Sequence, residues 1–191
     1  MFRPATNATL PTRTLQLPDG CQYVVRPLAA GDTANLVEFF RTLSAETIRQ
    51  RYGYLIHNMS PERAHRLAAV DPMTELALGI FENKGTDGET LCAMGRLVHT
   101  PDGESAECAF LVHDRKRRLG MASRLLFFLR LAGRRRGLRR LFAQVRRENR
   151  PMLDVFLRNG ALLHFEANGD VVEIDIPLRR TRTWFAKSSP S

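Results

Sequence analysis

The stretch from Ser105 to Gly137 limits the possible folds more than any other part of this chain. Ser105 to Val112 is an apolar run of strand character, and His113-Asp114-Arg115-Lys116-Arg117-Arg118-Leu119-Gly120 is a short basic connection. Met121 to Arg136 then carries Leu125, Leu126, Phe128, Leu129 and Ala132 on one helical face before Gly137 ends it. Strand, basic loop, glycine and helix in that order offer an anion free backbone N–H groups and the positive end of a helix dipole. Gly120 lets backbone approach a phosphate closely, and Ala122 keeps the first helical turn small. Neither G-x-x-x-x-G-K-[ST] nor G-x-G-x-x-G is present, so mononucleotide hydrolysis and dinucleotide redox chemistry lack their usual signatures. The alternative is an ordinary connection with its side chains in solvent.

Charge concentrates on the same segment. The chain has 29 Lys and Arg against 20 Asp and Glu, a net charge of +9. Arg115 to Arg150 alone holds fourteen basic residues against the single acid Glu148, so the whole surplus lies there. Nucleic acid, acidic lipid and a polyphosphate cofactor all suit such a patch. Because 26 of the 29 cations are arginine, a coding bias and solvated helix faces also account for part of it.

Around this segment the pattern predicts one α/β domain of the α+β kind, with a mixed, mostly antiparallel sheet of about seven strands flanked by helices. Residues 1–19, with Pro4, Pro11 and Pro18, read as an extended lead-in without a fold element. The domain spans 20–178, and a basic tail, 179–191, carries Trp184-Phe185, which could pack back onto the body. Strands are predicted at Cys21–Pro27, Glu75–Phe81, Leu91–His99, Ser105–Val112, Leu138–Val145, Leu162–Phe165 and Val171–Ile176. Further helices are predicted from Gly31, from Ser44 to Gly53, from Ser60-Pro61 to Val70 and from Asn149 to Asn159. The 191 residues suffice for a core without disulfides or a structural metal. Three cysteines without a C-x-x-C pair fit a reducing cytoplasm, no metal ligands stand at suitable spacing, and the longest apolar stretch, Leu125 to Leu129, is too short for a membrane span.

Arg117-x-x-Gly120-x-Ala122 after an apolar strand resembles the pyrophosphate-binding motif [QR]-x-x-G-x-[GA] of the GNAT superfamily of acyl-CoA N-acyltransferases. The resemblance extends over about residues 21–178 and is greatest to the acetyltransferase module of bacterial Pat-type protein lysine acetyltransferases. Those modules share Arg26-Pro27, Leu43-Ser44-x-Glu46-Thr47, Ala106-Glu107 and Glu148-Asn149-Arg150-x-Met152. The resemblance implies that acetyl-CoA is a co-substrate whose pyrophosphate lies on the backbone amides of Arg117, Arg118, Leu119, Gly120, Met121 and Ala122. It implies that the backbone of Leu111 and Val112 pairs with the pantetheine and polarises the thioester carbonyl, and that Asn149 contacts the pantetheine arm. Arg115, Lys116, Arg118 or Arg150 would meet the coenzyme's remaining phosphate charge.

Amine acylation also needs a proton acceptor. Glu107 lies inside an apolar strand, where desolvation would raise its pKa towards the working range of a general base. Its alternative is an outward residue on a solvated face, and the matching acidic position of Pat-type modules favours catalysis. Glu104 is the backup, while His99 and His113 near strand ends are weaker candidates. Many GNAT enzymes place a leaving-group tyrosine where this chain has Phe156, so Ser123, water or unassisted thiolate departure must replace it. Cys108 is read as a structural thiol rather than an acyl carrier.

The leading reading is therefore an N-acetyltransferase moving the acetyl group from acetyl-CoA to a primary amine, foremost a protein lysine, by direct attack in a ternary complex. A small-amine acceptor, or a non-catalytic acetyl-CoA sensor, is the alternative. No membrane or metal partner is expected and nucleic acid is disfavoured. A homodimer is expected from the resemblance alone.

Overall fold

The computed structural model describes residues 10–53, 58–83, 85, 88–167 and 169–178. In chain order the strands are β1 (Arg13–Gln16), β2 (Gln22–Pro27), β3 (Glu75–Asn83), β4 (Glu89–His99), β5 (Ser105–Val112), β6 (Arg140–Arg146), β7 (Leu162–Phe165) and β8 (Val171–Pro177). The helices are α1 (Thr33–Thr42), α2 (Ala45–Tyr52) and α3 (Pro61–Ala68) between β2 and β3, α4 (Met121–Arg135) before β6, and α5 (Arg150–Arg158) before β7.

One eight-stranded sheet runs β1-β2-β3-β4-β5-β6-β8-β7. Every neighbouring pair is antiparallel except β5 with β6, which run parallel over Ser105–Glu107 against Arg140–Phe142 and then part. Alternation along β5 sends Ala106, Cys108 and Phe110 into the core shared with α4 and α5, and turns Leu111 into the core of α1, α2 and α3.

Local chemistry sets the helix limits. Ser44 caps α2 by accepting from the Thr47 N–H at 3.2 Å, and Ser60 caps α3 ahead of Pro61. Asn149 caps α5 through its side-chain oxygen, which accepts from the Met152 N–H. Helix ends differ from the expected ones by one or two residues, as α3 stops at Ala68 rather than Val70.

The lead-in requires a correction. The reading of residues 1–19 as without a fold element fails at β1, which pairs residue for residue with β2. Leu10 and Leu17 are buried in the main core beside it, so burial of those two side chains outweighs the turn-forming prolines around them. This strand is the eighth where about seven were expected. The tail 179–191, with Trp184-Phe185, lies outside the described residues. Leu17→Ala should lower the unfolding free energy by ~2–4 kcal/mol in urea denaturation; an unchanged midpoint would detach β1 from the folded body.

Candidate active site

The parting of β5 from β6 opens a cavity of about 770 Å³ through the sheet. From β5 it is bounded by residues 107–112, from β6 by Ala143, Gln144 and Val145, from α4 by Met121, Ala122 and Ser123, and from α5 along its length from Pro151 to Arg158. From the opposite face Thr47, Gln50 and Arg51 of α2 reach it. It brings together Glu107, Leu111, Val112, Arg117, Arg118, Gly120, Met121, Ala122, Asn149 and Phe156, whereas Leu119 turns away and packs on the core.

Two backbone surfaces face this space. Thr100 N–H donates to Ser105 at 3.0 Å and His113 N–H to Cys92 at 2.9 Å, which sets the register of β5 on β4. By alternation Leu111 bonds back to β4, while Phe110 and Val112 aim N–H and C=O at the gap, beyond the last residue paired with β6. Leu111 and Val112 were both expected to offer backbone to a ligand; the structure turns Val112 and the unforeseen Phe110 to the gap and leaves Leu111 bonded to β4. The second surface is the loop into α4. Arg118 has φ 64 and Gly120 has φ 82, and no side chain caps α4. Among the described residues the N–H groups from Arg118 to Ser123 have no hydrogen-bond acceptor. Such a run of free donors at a helix start suits a pyrophosphate.

Asp114 holds that loop in place. Its carboxylate accepts from the Ser44 N–H at 2.9 Å, the Ser44 hydroxyl at 3.0 Å and the Thr47 hydroxyl at 2.6 Å, and pairs with Arg117 at 2.8 Å. Burial alone would raise its pKa; these bonds outweigh burial and hold the carboxyl below the usual aspartate range. Arg117 also donates to Thr47, so its guanidinium secures the loop and leaves anion contact to the backbone. Sequence reasoning missed Asp114, whose partners lie about seventy residues away.

Several other expectations change. Lys116 is bonded to Glu82 at 2.6 Å and to the Tyr23 hydroxyl at 2.9 Å, and so is spent on the sheet. Arg115, Arg118 and Arg150 are exposed and form no ion pair among the described residues. Glu107 is exposed rather than buried as expected, and it lines the cavity on its α2 side. Glu104 is exposed, pairs with Arg139 at 3.0 Å and does not line the cavity, so it is no backup base.

His99 accepts from the Arg136 guanidinium at 3.2 Å outside the cavity, and His113 caps its own turn by accepting from the Arg115 N–H at 3.1 Å. Burial lowers the pKa of both histidines. Cys108 is buried, and that burial, reinforced by the Glu107 charge, pushes its thiol well above the ordinary range. Phe156 is buried against Phe110, with ring centroids 5.5 Å apart.

A model of the Acetyltransferase (GNAT) family matches residues 43–161, which contain the cavity's loop, both parted strands and α5. The chain belongs to this family. It is an acetyltransferase that takes acetyl-CoA as its acetyl donor. The GNAT domain of S. lividans PAT is similar over 87% of this chain and 96% of that one, at 28% identity and a TM-score of 0.77. The structure of yncA from Salmonella typhimurium with acetyl-CoA shares the fold at 14% identity and a TM-score of 0.63, over 84% of this chain and 96% of that one. A cAMP-binding acyltransferase from Mycobacterium smegmatis shares it at 20% identity and a TM-score of 0.59, over 94% of this chain and 52% of that one.

Among the described residues no cluster of three or more His, Cys, Asp or Glu could hold a metal, and no helix is long and apolar enough to cross a membrane. Asp114→Ala should weaken acetyl-CoA binding about tenfold, or ~1.4 kcal/mol, by calorimetry. In the parent protein the clamp is complete above about pH 4, the ordinary aspartate range, and is lost as pH falls through the lowered folded value; affinity unchanged in the variant would free the loop of its dependence on Asp114.

Proposed function

We propose that the protein transfers the acetyl group of acetyl-CoA to the ε-amine of a protein lysine by direct attack in a ternary complex, with Glu107 as proton acceptor. The observation that carries this reading is a single cavity joining the α4 loop on one face of the sheet to Glu107 on the other. Acetyl donor and amine thereby reach the gap from opposite sides, and neither must leave before the other enters.

The residues divide the work. The free N–H groups from Arg118 to Ala122 hold the pyrophosphate, and Asn149, whose oxygen is used as the α5 cap, keeps its amide nitrogen for the pantetheine arm. The gap-facing N–H groups of Phe110 and Val112 polarise the thioester carbonyl. Acetyl-CoA supplies the activated acetyl group, its C–S bond breaking as the C–N bond forms. Glu107 receives the proton that the lysine ammonium must lose, directly or through water. Its exposure means that proximity and access to solvent carry this role rather than desolvation. Ser123, which accepts from the Asn159 side-chain amide at 3.1 Å, stands at the α4 end of the cavity with the pyrophosphate, and Phe156 has no proton to give, so the sulfur leaves as thiolate and takes its proton from water. The raised pKa of the Cys108 thiol argues against an acyl-cysteine route. The free thiols Cys21, Cys92 and Cys108 fit a cytoplasmic setting.

The test is thiol release from acetyl-CoA with lysine-containing proteins, lysine peptides and small amines offered in parallel. Acetylation of protein or peptide lysine supports the reading; turnover with small amines alone, or binding without turnover, replaces it with the small-amine or the sensor reading. Glu107→Gln should lower kcat about 100-fold with acetyl-CoA affinity retained, and Cys108→Ala should leave kcat within about twofold. A fully active Glu107→Gln enzyme would remove the base from its assigned place.

A further inference from the structure

The cations around the cavity differ in what they are bound to. Arg117 is tied to Asp114 and Thr47, Lys116 to Glu82 and Tyr23, and on α2 itself Arg49 is paired with Glu46. Arg118 and Arg158 lie on the α4 and α5 side. Arg51 is distinct from all of these. It lines the cavity from α2, on the face of the sheet to which Glu107 points, and is half-buried there. Among the described residues it forms no ion pair with a carboxylate, Glu107 included.

Arg51 is also held. Its guanidinium lies over the Tyr52 ring, 4.9 Å from the centroid, a contact that orients the group without neutralising it. Thr47, Gln50 and Arg51 recur at helical spacing and so present one face of α2 to the cavity. Thr47 is used by Asp114 and Gln50 by Glu46, and the β6 residue on this side, Gln144, is uncharged. Among the described residues that line the acceptor side of the gap, the charged groups without an ion-pair partner are therefore one carboxylate, Glu107, and one oriented guanidinium, Arg51.

We propose that Arg51 is a specificity-determining residue that reads a carboxylate on the acceptor, so that the modified lysine stands next to an acidic residue and polycationic acceptors are disfavoured. The proposal rests on the lysine reading above. Glu107 answers the charge of the incoming ammonium, and Arg51 answers its neighbour. A planar guanidinium meets a carboxylate through two parallel N–H donors, whereas a second cation brought to the same place is repelled. A polyamine or a run of consecutive lysines places such a cation there; an isolated lysine flanked by Asp or Glu does not. Preference arises from attraction of one class together with rejection of the other.

The test compares kcat/KM for two short lysine peptides of one sequence, flanked on both sides by either Glu or Lys, with the wild-type enzyme, Arg51→Gln and Arg51→Glu. The wild type should favour the Glu-flanked peptide about tenfold, chiefly through KM. Arg51→Gln should erase that preference and Arg51→Glu should invert it, while acetyl-CoA affinity by calorimetry stays unchanged in both variants. The same preference in all three enzymes, or a wild-type preference for the Lys-flanked peptide, would overturn the assignment of Arg51 and leave the lysine reading intact. Acetylation of neither peptide by the wild type, with small amines accepted, would overturn both.

Discussion

The site exists because β5 and β6 pair for only three residues and then separate. Each strand remains fully laddered on its outer side, β5 to β4 and β6 to β8, so the separation does not unravel the sheet. It leaves the inner N–H and C=O groups of Phe110 and Val112 without a strand, and backbone groups away from water require a partner. A bound chain of amide character supplies one, as a missing strand would. The pantetheine arm of acetyl-CoA has that character, and the cavity's course from the α4 loop to Glu107 follows the order in which pyrophosphate, pantetheine and acetyl group would lie.

The opening is kept in register by contacts between distant parts of the chain. Asp114 fastens the start of the basic loop to the first turn of α2, and Arg117 doubles that attachment. Lys116 ties the same loop to Glu82 and Tyr23 on the far side. Three charged residues of one short loop thus act as anchors, and the left-handed backbone at Arg118 and Gly120 turns the following N–H groups into the cavity. Much of the local positive charge is therefore architecture, and the cations left without an acidic partner among the described residues, Arg51 among them, bear on what the site receives.

The sequence made the elements legible where one local signal dominated. The 3.6-residue stripe of α4, the caps Ser44 and Ser60, and the apolar runs of β3 to β5 all follow from neighbours within one or two turns. The loop motif Arg117-x-x-Gly120-x-Ala122 was legible for the same reason. Where a partner from far along the chain decides, the reading failed. Lys116 looked free until Glu82 was brought beside it, and Asp114 had no visible purpose without Ser44 and Thr47. β1 was hidden by prolines because its stability comes from Leu10 and Leu17 meeting the core rather than from its own four residues. Glu107 was placed on the right strand with the wrong surroundings, since coverage of a strand face depends on which helix packs there.

The measurement that bears most directly on this account is residue-resolved amide hydrogen exchange by NMR, with and without acetyl-CoA. Binding along the parted strands predicts slower exchange at Phe110, Val112 and the N–H groups from Arg118 to Ser123, with Leu111, already bonded to β4, unchanged. Protection that spares Phe110 and Val112 while acetyl-CoA is bound would place the donor elsewhere and contradict the account.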